Sequence, residues 1–346
     1  MRDQRKSVLL TGGAGFIGSH LAEALLRRGS RLTIVDNFDP FYDYHLKKAN
    51  LEASGRVGSY EFYAVDICNK AQLSQIMTVH RPEVVIHLAA CVGVRPSIRQ
   101  PHLYEQVNVA GTLNLLELCR EFHVDKFIFG SSSSVYGATD RAPFSEKQSE
   151  LRPLSPYAAT KLAGEMMAYT YAHLFRLQVI CLRFFTVYGP RQRPDLAIRK
   201  FTTLIEEGKP LPIFGDGSTA RDYTHVNDIV AGILASLDYS FKVTSDCAPF
   251  EVFNLGNSHA VKLTELIELL ETVTGHKAVC EWRPPQPGDS PVTWADISKA
   301  SHLLGYRPAT SLEEGLASFV NWYRDVAPVW ALTADTAVDG VRNVSG

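Results

Sequence analysis

Short apolar runs rich in β-branched residues punctuate the first half of the chain, at Val8–Thr11, Leu32–Asp36, Glu61–Val65, Val84–Leu88, Phe127–Gly130 and Val179–Phe184. Runs of this length and composition predict strands. Stretches with helical spacing lie between them, at Ile17–Arg28, Ala71–Val79, Leu103–Glu121 and Tyr157–Phe175. Val84-Val-Ile-His-Leu88 is nearly all apolar, as a strand covered on both faces should be. The alternation predicts an α/β fold, a doubly wound parallel sheet with right-handed crossovers. After Gly189 the texture changes. Prolines and glycines crowd 190–217 and 284–288, strands shorten, and helical patterns recur at Ala197–Glu207, Val226–Leu237, Lys262–Thr274 and Leu312–Tyr323. We therefore expect a first domain over 1–189, with later segments at about 213–240 and 251–257 returning to it. A smaller lobe is expected over 190–330, and a loosely held tail over 331–346.

Composition narrows the partners. The 346 residues are 45% apolar and 21% charged, enough for a large core and far from a disordered composition. A net charge of −2 gives no bulk reason to expect nucleic acid or an anionic membrane. No run of eighteen apolar residues is present, and the charged N-terminus leads into a strand-like Val8-Leu-Leu10 rather than a signal-peptide core. Six scattered cysteines and eleven dispersed histidines lack ligand spacing, so the reading is reduced thiols, a cytoplasmic setting and no metal site.

Thr11-Gly12-Gly13-Ala14-Gly15-Phe16-Ile17-Gly18 follows the first predicted strand and opens the first helix. Gly12 permits the tight turn, and Gly15 lets backbone approach a pyrophosphate at the helix N-terminus, beside Phe16 and Ile17. Gly18 allows helix to pack closely on strand. A lone glycine turn is a weak signal, but the second strand ends in Asp36-Asn37, where an acid is needed for ribose hydroxyls. An aspartate there repels a 2′-phosphate and no arginine follows it, which favours NAD over NADP.

Downstream, Ser131-Ser132-Ser133-Ser134 precedes Ser155-Pro-Tyr157-Ala-Ala-Thr-Lys161. On a helix, Lys161 falls one turn beyond Tyr157 on the same face. A cation held there favours the tyrosinate and makes Tyr157 a candidate base for an alcohol proton, with Ser132 beside it. The same pair occurs on ordinary surface helices, so its context decides.

With the glycine spacing and Tyr157-x-x-x-Lys161 in hand, the chain resembles the extended short-chain dehydrogenase/reductases, the NAD-dependent sugar-nucleotide epimerase/dehydratase family. The likeness runs from Val8 to Trp322 through Val65-Asp66-Ile67, His87-Leu-Ala89-Ala90, Asn108-Val-Ala-Gly-Thr112, Arg183-Phe-Phe-Thr186-Val-Tyr-Gly-Pro190 and Gly215-Asp-Gly-Ser-Thr-Ala-Arg221. The resemblance implies Asp66 and Ile67 near adenine, and Ala89, Ala90 and Asn108 beside NAD. It also implies Arg95, Phe214, Arg221 and Asp289 near a UDP-sugar, and a homodimer through Leu103–Glu121 and Tyr157–Phe175.

Branches of the family differ at a few positions. The 4,6-dehydratases carry Asp-Glu where this chain has Ser133-Ser134, and the UDP-glucuronate decarboxylases carry a Glu at Ser134. Gly93-Val-Arg95, Thr186, Arg193-Pro-Asp195 and Gln286-Pro-Gly-Asp289 together look like UDP-glucuronate 4-epimerases. Thr186 and Arg193 would serve a sugar carboxylate, although Arg193 by loop position alone is also readable as a solvated charge. Two departures stand out: Arg191-Gln192 where Trp-Gly is usual, and Pro96 where a tyrosine is common. The expected reaction is hydride transfer from carbon 4 to NAD, rotation of the 4-keto sugar and hydride return. The alternatives are a 4-epimerase of neutral UDP-sugars and a non-catalytic NAD-sensing protein.

Overall fold

The computed structural model describes residues 6–137, 142–242, 250–284 and 291–339. In chain order the strands are β1 (Ser7–Thr11), β2 (Arg31–Val35), β3 (Glu61–Tyr63), β4 (Val84–His87), β5 (Lys126–Ser132), β6 (Gln178–Phe184), β7 (Thr186–Tyr188), β8 (Leu211–Phe214), β9 (Ala220–His225), β10 (Phe250–Leu255), β11 (Ala260–Lys262) and β12 (Cys280–Arg283). The helices are α1 (Phe16–Arg27), α2 (Tyr44–Val57), α3 (Lys70–His80), α4 (Val94–Arg99), α5 (Pro101–Glu105), α6 (Gly111–Glu121), α7 (Pro156–Phe175), α8 (Ala197–Glu206), α9 (Val226–Lys242), α10 (Leu263–Thr274), α11 (Ser298–Leu304) and α12 (Leu312–Asp339).

Seven strands form one sheet in the order β3-β2-β1-β4-β5-β6-β10, every pair parallel. The strand order reverses between β1 and β4, which is where such sheets bind ligands outside their carboxyl ends. Successive side chains serve opposite faces. Val8, Leu10, Val84 and Ile86 pack under α1 and α9, while Leu9, Val85, Phe127 and Phe129 pack under α3, α6 and α7. This is why the strands read as continuous apolar runs.

The return to this sheet begins later than the expected residue 213. Sheet contact resumes with α9 and β10, whereas β8 pairs with β12 and β9 with β7 and β11 in two small sheets. The small sheets and α8, α10 and α12 enclose a separate apolar cluster around Phe201, Leu266 and Phe319. Because β8 is only four residues long and β9 is half polar, their patterns do not reveal which sheet they join.

Helices α2, α4 and α11 are absent from the sequence reading, and two of the helices it expected differ from it. Helix α2 is absent from it because the buried face is partly polar, with Lys47, Asn50 and Ser54 beside Leu46 and Leu51. The single helix expected over Leu103–Glu121 is instead α5, a π-helical segment over Gln106–Ala110, and α6. The last helix passes the predicted end at Tyr323 and runs to Asp339. Among the described residues no helix is long and apolar enough to cross a membrane.

Candidate active site

The site is assembled where β1, β4 and β5 end. Gly12 has φ +74°, and a β-carbon there would lie 2.7 Å from the Ala89 nitrogen, so only glycine allows β1 and β4 to end this close together. A β-carbon on Gly18 would lie 2.0 Å from the Gly12 carbonyl oxygen. Gly15 occupies the N-cap of α1 with extended backbone and no side chain above the exposed N–H groups. The turn, the bare helix N-terminus and its positive end fit a pyrophosphate. Phe16 is buried against His20, and Ile17 packs on the core, so these two hold α1 down.

Asp36 lies one residue beyond the end of β2, which stops at Val35 rather than at the expected Asp36. One carboxylate oxygen accepts from Ala14 N–H at 3.1 Å and the other from Phe38 N–H at 2.9 Å. Each oxygen retains a second lone pair for a ribose hydroxyl. Asn37 Nδ2 donates to Asp66 Oδ2 at 2.8 Å, which joins the two residues assigned to the adenosine end. Ile67 is buried, packed on Gly111. Sequence reading missed Asn50, whose side chain donates to the Ala14 carbonyl at 3.0 Å and braces the glycine turn from α2. Its spacing carried no signal, because a polar residue on a helix is ordinarily solvated.

Ser155 caps α7 through its hydroxyl, which accepts from Ala158 N–H at 3.2 Å, and Pro156 takes the first helical position. Tyr157 is thereby in the first turn, directed at the end of β5. Tyr157, Lys161 and Glu165 follow at intervals of one turn, and each engages β5. Ser132 lies beside the Tyr157 phenol, and its hydroxyl donates to Ser134 Oγ at 3.1 Å. Lys161 Nζ donates to the Gly130 carbonyl at 2.7 Å. Ser131 Oγ donates to Glu165 at 2.5 Å, and Glu165 also holds Arg183 through Nε at 2.9 Å and Nη2 at 2.7 Å. The Glu165–Arg183 pair is fully buried and went unread in the sequence, although the i+4 spacing from Lys161 is its signature.

The electrostatics differ from expectation. Burial raises the Tyr157 phenol above its ordinary value, against the opposing hydrogen bond from Ser132 and the charge of Arg193. Burial also pushes Lys161 down to about 8, opposed by Cys91 and Glu165. The Lys161 ammonium, expected to favour a tyrosinate, donates to the Gly130 carbonyl one turn along α7 from the phenol. His87, buried between Thr11 at 2.7 Å and Thr112 at 3.0 Å, is pushed down to about 3 by burial and by Lys161. It is a neutral tie between β1, β4 and α6.

Asn108, on the π-helical segment, is fully used. Its Oδ1 accepts from Cys91 N–H at 2.8 Å, and Nδ2 donates to the Cys91 carbonyl at 2.9 Å and Thr160 Oγ1 at 3.0 Å. It clamps the loop after β4, which carries Ala89 and the half-buried Ala90, to α7 next to Lys161. Tyr104, absent from the sequence reading, packs edge-on to Tyr157 with ring centroids 6.2 Å apart.

Toward the smaller lobe, Ser133 and Ser134 form a 3-10 turn after β5. Thr186 is half-buried on β7, opposite Tyr223. Arg193 is not a solvated charge: its side chain is 16% exposed, lies over the Phe41 ring at 5.6 Å and forks onto Asp195 at 2.9 and 2.8 Å. Burial opposes the Arg193 charge, but Asp195 more than offsets it and keeps the guanidinium above its ordinary value. Arg95 stacks over Phe214 at 5.6 Å, joining α4 to β8. Arg221 donates to the carbonyls of Ala220 at 2.9 Å and Pro291 at 3.4 Å. Asp289 lies outside the described residues.

A family model described as GDP-mannose 4,6 dehydratase matches residues 9–319. The UDP-glucuronate 4-epimerase of Thermodesulfobacterium geofontis is 44% identical over 92% of this chain and 96% of its own length. The structure of the Bacillus cereus UDP-glucuronic acid 4-epimerase, in complex with UDP-glucuronic acid and NAD, superposes with a TM-score of 0.84. It is 39% identical and the match covers 92% of this chain and 99% of that one. The UDP-glucose 4-epimerase of Thermotoga maritima, bound to UDP-glucose, has a TM-score of 0.83 at 34% identity, covering 92% and 99%. Backbone shape is shared by relatives that act on acidic and neutral sugars, and by a matching family model named for a dehydration. What the matched span and the Tyr157–Lys161 frame establish together is that this chain belongs to the GDP-mannose 4,6 dehydratase family, the NAD-dependent epimerases and dehydratases of nucleotide sugars.

Proposed function

We propose that this protein is a UDP-glucuronate 4-epimerase, interconverting UDP-glucuronate and UDP-galacturonate with NAD as a resident cofactor. The observation that carries the reading is the set of groups around Tyr157: a serine beside it, a lysine one turn on, an arginine whose charge reaches it, and serines at 133 and 134 where eliminations need acids.

The glycine turn, the α1 N-terminus and Asp36 would hold NAD, with Asp66 and Asn37 at the adenosine end and Asn108, Ala89 and Lys161 at the other. When bound, NAD supplies a hydride acceptor and donor at sugar carbon 4, and a positive charge. Tyr157 removes the 4-hydroxyl proton and later returns it. Ser132 steadies the same oxygen as charge develops. Lys161 ties α7 to β5 and so fixes where the phenol points. The 4-keto sugar turns over between Thr186 and the two serines, held by its nucleotide at Phe214 and Arg221. The glucuronate carboxylate is received by Thr186 and Arg193, which restrains loss of carbon dioxide from the β-keto acid. Asp195 shares the guanidinium with it.

A cofactor lobe and a UDP-sugar lobe, a cytoplasmic setting and a homodimer complete the proposal. Exposed Leu113 on α6 and exposed Met166, Tyr169 and Leu174 on α7, two helices in contact, support the last.

Incubation of NAD-loaded protein with UDP-glucuronate should yield UDP-galacturonate by NMR. Conversion of UDP-glucose but not of UDP-glucuronate would replace the reading with a neutral-sugar epimerase. Tyr157→Phe should lower kcat by about 10²- to 10⁴-fold with NAD still bound; full activity would remove the base assignment. Arg193→Ala should weaken UDP-glucuronate by about 10- to 100-fold more than UDP-glucose. Equal losses would end the carboxylate role.

A further inference from the structure

Arg191 and Gln192 replace the usual Trp-Gly immediately before Arg193, and the structure shows where both side chains go. Arg191 turns away from Phe41 and Asp195 and reaches α1. Its Nη2 donates to Glu23 at 2.5 Å and its Nη1 to Ser19 Oγ at 3.4 Å. The ion pair is largely out of water, its side chains 19% and 11% exposed. Glu23 also accepts from Arg27, one turn further along α1. Gln192 is buried: its Nε2 donates to the Val187 carbonyl at 3.1 Å, its Oε1 accepts from Arg199 N–H at 3.1 Å, and its carbonyl accepts from Arg199 Nη1 at 2.6 Å. Backbone turns close the segment on both sides, Gln192 N–H to the Gly189 carbonyl at 3.1 Å and Leu196 N–H to the Arg193 carbonyl at 3.2 Å.

The backbone of Arg191 has φ +65°. Outside a helix C-cap, where Arg81 and Arg176 adopt it, that conformation is unfavourable for an arginine. The contact with α1 compensates here. It holds the turn in the one conformation that sends residue 191 to the cofactor helix and residue 193 to the sugar.

We infer that the Arg191–Glu23 ion pair is a clasp that positions Arg193 and so sets the preference for an acidic over a neutral sugar. The inference rests on the reading that Arg193 meets the sugar carboxylate. A charge-assisted, forked contact needs its guanidinium held within about 0.5 Å and 10–20°. Phe214 and Arg221, proposed to hold the nucleotide, pack with Arg95 and with the Ala220 and Pro291 carbonyls rather than with Arg191 or Glu23. Loosening the clasp therefore weakens recognition of the carboxylate and leaves recognition of the nucleotide alone. Arg191 and Glu23 are positioning residues, acting through Arg193.

The test measures affinity of the NAD-loaded protein for UDP-glucuronate and UDP-glucose by calorimetry. Arg191→Ala and Glu23→Gln should each weaken UDP-glucuronate by ~10-fold, the size of a broken coupled contact, with UDP-glucose within about 2-fold. Arg191→Lys should restore most of the loss. In an Arg193→Ala background, Glu23→Gln should change the ratio of the two affinities no further. If Arg193→Ala is selective but the Arg191 and Glu23 variants weaken both sugars equally, or neither, the clasp is wrong and the carboxylate reading survives. If Arg193→Ala is itself unselective, the carboxylate reading fails first and the clasp with it. Glu23→Gln preserves shape, so a melting temperature near that of the parent separates a lost clasp from a lost fold.

Discussion

Tyr157 and Lys161 show how a pair of residues acquires meaning from what surrounds it. The spacing alone places a base beside a cation. The structure directs that cation to the Gly130 carbonyl at 2.7 Å and raises the phenol by burial. The serines at 133 and 134 matter for what they lack. Neither holds a proton poised for elimination or for assisting loss of carbon dioxide, since an unperturbed hydroxyl is a weak acid and a weak base. Ser134→Glu should therefore divert part of the turnover of UDP-glucuronate to a decarboxylated pentose, measured as carbon dioxide released per epimer formed. An unchanged ratio would show that the carboxylate is protected by its grip rather than by its neighbours. Arg193 and Thr186 were visible as candidates; the fork onto Asp195 was not, because a two-residue spacing in a loop does not say which way the side chains turn.

At the scale of elements, the glycine turn depends on contacts across three segments. A β-carbon at residue 18 would meet the Gly12 carbonyl at 2.0 Å, which is backbone and cannot rotate aside. Gly18→Ala should cost about 1–3 kcal/mol of stability and remove NAD from the purified protein, read from thermal unfolding and cofactor stoichiometry. Retention of full NAD occupancy would show that the turn can shift. Asn50→Ala deletes the brace from α2 to the Ala14 carbonyl. It should leave the fold intact while weakening NAD several-fold, since a hydrogen bond contributes about 0.5–1.5 kcal/mol. The π-helical segment is the other device at this scale. Its wider turn places Asn108 where one side chain reaches both Cys91 and Thr160, which the uninterrupted helix expected over Leu103–Glu121 does not foresee.

For the whole molecule, buried histidines predict an acid-sensitive fold. His87 is pushed down to about 3 and His20 to about 4, in both cases first by burial, from an ordinary value of 6.5. Between those values the unfolded chain binds more protons than the folded one, so stability is lost as pH falls below 6.5. Asp36 and Asp222, whose carboxyls burial raises, act in the opposite sense at lower pH. The melting temperature should therefore fall on passing from pH 7.5 to pH 5, and His87→Gln should flatten that fall. An unchanged slope would show that His87 already carries a proton in the fold. The sheet, the glycine turn and the Ser/Tyr/Lys frame were legible because each is local: an apolar run, a tight turn and a one-turn spacing each follow from a few consecutive residues. The late return of the chain through α9 and β10, the polar buried face of α2, the Glu165–Arg183 pair and the path of Arg191 to Glu23 were not. Each is settled by a partner far away in the chain, and a polar residue that will be buried reads the same as one that stays in water. The sequence by itself determined that a dinucleotide turn and an alcohol-oxidising frame share one parallel sheet. Only the tertiary structure decided which charges are buried and what they pair with, because desolvation and pairing depend on what is packed against each group.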